Sequence, residues 1–110
     1  MNYQHQSLAA GRWQELSFVE QMANIGSEVE RALHWKSKKN EAYSQKAFER
    51  ALELLDLTLS RAKRFPCLKE LARLREVLVD YFFDANQYQS TQTSLRKYFL
   101  AFTYAARRNR

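Results

Sequence analysis

One cysteine, one proline and two glycines are all that this 110-residue chain holds of the residues that staple or interrupt a fold. A lone Cys67 excludes an intrachain disulfide and fits a reducing compartment. So few Gly and Pro exclude a turn-rich β protein, whose connections need them. No apolar run approaches the ~18 residues of a membrane span, so no membrane association is expected. The start, Met1-Asn2-Tyr3-Gln4-His5-Gln6, lacks the apolar stretch of a secretory signal. The expectation is a soluble, cytoplasmic protein of long helices with few breaks.

Acid is missing too, but only from one part. No Asp or Glu follows Asp84, and the chain ends Ala105-Ala106-Arg107-Arg108-Asn109-Arg110. Residues 1–59 carry 7 Lys/Arg against 8 Asp/Glu, whereas residues 60–110 carry 11 against 4. Such asymmetry points to an anionic partner for the second half, nucleic acid first. A pI near 9.7 favours phosphate-bearing surfaces in general.

What remains is a chain that is 45% apolar and 27% charged, the composition of a globular domain large enough to bury a core unaided. Residues 1–16 show no period and read as an N-terminal extension, with Trp13 and Leu16 able to tuck against the body. Residues 17–110 read as one domain. Ser17 and Glu20 form a capping-box signature. From there Phe18, Met22, Ile25, Val29, Ala32 and Leu33 recur at helical spacing, with Gln21, Asn24, Glu28 and Arg31 on the opposite face. Gly26 inside this helix costs up to about 1 kcal/mol relative to Ala, and close approach of a neighbouring helix would explain it. Lys36 to Lys39 complement the negative helix end, and Asn40 caps a second helix over 41–61. Its stripe is Tyr43, Ala47, Ala51, Leu54, Leu55 and Thr58, widened by Phe48, Leu52 and Leu59.

Pro66 suits the first turn of a third helix, where its missing N–H is not needed. That helix reaches about Phe83, with Leu68, Leu71, Leu74, Val77, Leu78 and Phe82 inward and Lys69, Arg73, Glu76 and Asp80 outward. Asp84 to Gln87 form a turn in which Asn86 tolerates a left-handed backbone. Ser90 or Thr91 caps the fourth helix, whose stripe is Leu95, Tyr98, Phe99, Phe102 and Ala106, with Tyr104 on a flank. Four helices joined by short turns predict an all-α, antiparallel up-down four-helix bundle.

That topology places the end of helix two, the start of helix three and the end of helix four at one pole. Arg61, Lys63, Arg64, Lys69, Arg107, Arg108 and Arg110 gather there, enough to neutralise several phosphates of RNA or DNA. Arg96 and Lys97, beside Tyr98 and Tyr104, extend a basic and aromatic surface along helix four. Fifteen aromatics are many for so small a monomer; exposed together they would make an association surface. A homo-oligomer is therefore expected, and a protein–protein interaction module is the alternative to nucleic-acid binding.

Catalytic constellations are absent. His34 and Glu30 are one helical turn apart, a spacing that reads as a surface ion pair because no further ligand follows. Cys67 reads as a small core residue. Glu49, Glu53 and Asp56 share one side of helix two, but no Glu-x-x-His motif accompanies them. There is no phosphate-binding glycine loop and no nucleophile elbow. Helical ribonucleases of the HEPN type carry an Arg followed by His four to six residues on, whereas Arg31 precedes His34 by three. No enzyme, cofactor or metal is expected.

The four-helix layout, the positive charge and the basic end Lys97-Tyr98-Phe99-Leu100-Ala101-Phe102 to Arg107-Arg108 resemble two groups of small bacterial bundle proteins. These are the accessory proteins of diversity-generating retroelements and the proteins encoded in intervening sequences of 23S rRNA genes. The resemblance implies a ring-forming oligomer whose basic surface contacts RNA or a reverse transcriptase. The segment from Glu20 to Ala32 also looks like part of widespread bacterial hypothetical proteins.

Overall fold

The computed structural model describes residues 11–62 and 64–108, with the backbone alone at Phe65; His5 and the rest of residues 1–10 lie outside the described residues. A single 3-10 turn, Arg12–Glu15, precedes four α-helices: α1 (Phe18–Ser37), α2 (Glu41–Arg61), α3 (Phe65–Phe83) and α4 (Gln92–Arg108). Among the described residues there is no strand. The fold is an all-α antiparallel bundle. Cross-helix contacts give the directions: Glu28 meets Arg50, Asp56 meets Arg75, and Glu30 meets Arg96. A second contact in each pair, Trp35 with Tyr43, Phe48 with Phe82 and Phe18 with Phe102, shows that as one helix advances its neighbour runs back.

Each helix starts where local chemistry directs it. The Ser17 hydroxyl accepts from the Glu20 N–H at 3.1 Å while the Glu20 carboxylate accepts from the Ser17 N–H at 3.0 Å, which satisfies two of the orphan donors of a helix start. The Asn40 side chain accepts from the Tyr43 N–H. Pro66 lies in the first turn of α3. Thr91 and Ser94 cap α4 reciprocally, each hydroxyl accepting the other's backbone N–H.

The core draws on every element. Met22, Ile25, Val29, Ala32 and Leu33 come from α1, and Ala47, Phe48, Ala51, Leu54 and Leu55 from α2. Leu71, Leu74 and Leu78 come from α3, Leu95 and Phe99 from α4, and Trp13 from the 3-10 turn. Trp13 is 1% exposed, its indole N–H donating to Thr58 Oγ1 at 3.0 Å. Burying an indole is favourable only when that polar handle finds a partner.

Three residues assigned to outer faces by helical spacing are buried instead. Gln21 donates to the carbonyl of Trp13 at 2.9 Å, so the 3-10 turn covers it. Glu28 is clamped between Arg31 at 2.7 Å and Arg50 at 3.1 Å. Asp80 accepts the backbone N–H groups of Gln87 and Tyr88 at 2.8 and 3.0 Å, and so holds the α3–α4 connection against α3. Conversely Tyr43, placed on the inner stripe of α2, is mostly exposed and lies edge-on to Trp35. Asn86 does take a positive φ of 55°, as the turn chemistry predicted.

α1 is the central helix, packed closely against both α2 and α4. Its approach to α4 is closest at Gly26, where an added Cβ would stand 2.8 Å from Phe99 Cβ. Phe99 Cβ is anchored to the α4 backbone, so relief requires the helices to part. Gly26→Ala is therefore expected to destabilise by about 1–2 kcal/mol, overpacking outweighing the helix-propensity gain of Ala. The readout is a thermal midpoint lowered by several degrees. An unchanged or raised midpoint would show that α4 is seated elsewhere.

Candidate nucleic-acid interface

The bundle brings three chain segments to one end. Arg61 closes α2, Arg64 is the N-cap of α3, and Arg107 and Arg108 form the last turn of α4. α1 begins at the same end: the Phe18 ring meets Phe102 edge-on at 6.2 Å, and Phe18 lines a cleft of about 480 Å3 with Arg64, Pro66, Cys67 and Glu70. Arg61, Arg64, Arg107 and Arg108 are all exposed, and Lys69 is exposed one turn into α3. Among the described residues none of these five forms an ion pair. Lys63 and Arg110, assigned to the same group by sequence, lie outside the described residues.

Arg96 and Lys97 do not join this end. Both lie in the first half of α4, and Arg96 donates to both carboxylate oxygens of Glu30 at 2.8 and 3.1 Å. That pair is a bridge to α1 on an exposed surface, of a kind that contributes about 1 kcal/mol or less. It also takes the partner that helical spacing had given to His34, which turns its ring edge-on to Trp35 at 5.0 Å. Lys97 is exposed on the outward face of α4.

The end is not uniformly positive. Glu20 sits in the first turn of α1, where it complements the helix dipole, and it lines a small cavity with Arg107. Glu70 accepts the Tyr98 hydroxyl proton at 2.8 Å. Tyr98 is thereby fixed between α3 and α4, half-buried, and does not serve as a free aromatic platform. Sequence spacing gave no sign of the Phe18–Cys67–Glu70 cleft, since its walls come from positions about fifty residues apart. Among the described residues no group of three or more His, Cys, Asp and Glu side chains is arranged to hold a metal ion, and no helix is long and apolar enough to cross a membrane.

Compared with protein families, with curated proteins and with solved structures, the chain matches none.

Burial, and then the bond to Glu70, hold the Tyr98 hydroxyl above the ordinary tyrosine pKa. A proton held more tightly in the folded state contributes stability that is complete below the unfolded value of about 10 and declines as pH rises past it. Tyr98→Phe removes that dependence. The urea midpoint of the native protein should fall more between about pH 8 and about pH 11 than that of the Phe variant. Parallel losses in the two proteins would show that Tyr98 ionises as freely folded as unfolded.

Proposed function

We propose that this bundle is a non-enzymatic accessory protein that binds nucleic acid through the end where α2 stops, α3 starts and α4 stops. One observation carries the reading. Arg61, Arg64, Arg107 and Arg108 come from three separate elements, reach one end and stay exposed without a carboxylate partner among the described residues. Elsewhere on the surface Arg31, Arg50, Arg75 and Arg96 each hold a carboxylate, whereas Arg12 and Arg73 form no ion pair among the described residues. Unpaired guanidinium groups at one pole suit phosphates, which they contact with released counterions as the driving force. RNA and DNA are both compatible with this chemistry, and such a ligand accords with a cytoplasmic protein.

A second reading rests on a different surface. Between α1 and α4 runs a mostly apolar groove of about 580 Å3, lined by Gly26, Val29, Leu33, Leu95, Phe99 and Leu100 among others. It supports self-association or a protein partner. Scattering masses that stay monomeric as concentration rises would remove self-association.

The test of the main reading replaces Arg61, Arg64, Arg107 and Arg108 together with Gln and titrates fluorescent oligonucleotides across a salt series. Each lost phosphate contact flattens the log–log salt slope by about 0.7–0.9, so a reduction of roughly 3 is expected. An unchanged slope would rule out this end as the binding site.

A further inference from the structure

The chain exposes several large aromatics, and most are engaged. Phe18 packs on Phe102, Tyr43 on Trp35 and Phe83 on Phe48, and the Tyr88 hydroxyl donates to Glu76. Tyr104 differs. It is 64% exposed, and among the described residues its ring has a single neighbour of note, the Arg108 guanidinium 5.9 Å from the centroid. It stands on α4, which contains no acidic residue over its whole length.

Helical geometry puts Lys97, Tyr104 and Arg108 on one outward stripe, on the opposite side of α4 from Leu95 and Phe102. Along the axis Lys97 lies about 10 Å before the ring and Arg108 about 6 Å after it. An anionic strand laid along this stripe meets a cation on each side of the aromatic ring. Beyond Arg108 lies the end that carries Arg61 and Arg64.

We infer that Tyr104 is a stacking platform for an unpaired base, and that the nucleic acid this protein takes is single-stranded. The inference rests on the nucleic-acid reading above and specifies it. A duplex hides the faces of its bases, so it can use the cations but not the ring. A single strand uses both, because every base has a π face and its phosphates flank it. Arg108 helps by holding its planar guanidinium near the same ring, where it adds cation–π attraction. The α-helical backbone fixes the Tyr104 Cβ, so only the two side-chain torsions are left to order when the base arrives.

The experiment uses the full chain, a fluorescent oligo-U and oligo-dT of equal length, and a DNA duplex of that length. Wild-type protein, Tyr104→Ala and Tyr104→Trp are titrated with each, after circular dichroism has shown equal helicity. Tyr104→Ala should weaken both single strands about tenfold, in the range of one lost base stack. It should leave duplex affinity and the salt slope unchanged, and Tyr104→Trp should restore the single-strand affinity. Equal losses on strand and duplex, or no loss on the strands, would overturn the stacking role while leaving the cationic end standing. Absence of binding by wild type to all three probes at low salt would overturn the nucleic-acid reading itself, and this inference with it.

Discussion

Phe99 rests against bare backbone at Gly26, and the placement of α4 follows from that contact. A side chain at position 26 would hold the two helices apart along their shared length. With none there, α4 descends into the seam beside α1, Leu95 and Phe99 reach the core, and Arg96 comes within bonding distance of Glu30. The last turn of α4 then arrives beside Phe18 and Arg107 joins the cations of α2 and α3. The arrangement of the basic end is a consequence of packing eight residues before Arg107 on α4.

The two ends of the bundle are organised by different forces. At the opposite end, which carries Lys36, Lys38 and Lys39, Asp80 turns inward and gathers backbone N–H groups of the 84–91 connection, while Asn86 closes the same loop by exchanging hydrogen bonds with Ser90. At the basic end the guanidinium groups of Arg61, Arg64 and Arg107 stay in solvent, free of carboxylate partners among the described residues. Hydration keeps such charges at small cost until an anion replaces the water.

Much of this was legible in the amino-acid order. Capping chemistry located the starts of α1 and α2 at Ser17 and Asn40, Pro66 located that of α3, and the three-and-four spacing of Leu, Val and Phe identified four amphipathic helices. What escaped was the fate of polar residues that spacing alone assigned to solvent. Gln21, Glu28 and Asp80 are buried because the 3-10 turn, Arg50 and the 84–91 loop reach across to them, and helical periodicity carries no record of a neighbour from another segment. The pairing of Arg96 with Glu30 was hidden for the same reason, being sixty-six residues apart in sequence. Exposure of Tyr104 was half visible: its flank position could be read, but whether another ring covered it could not.

Trp13 lends the basic end a property that surface charge alone would not. Its indole closes the core beneath the final turns of α2 by donating to Thr58, one turn before Arg61. The 3-10 turn is therefore fastened to the helix end that presents an arginine. Were an anion to prefer the ordered end of α2, reciprocity would require it to favour the seated indole by as much free energy as the seated indole adds to its binding. Slowed solvent exchange of the Trp13 indole proton would then report occupancy at the surface from a site that no ligand touches.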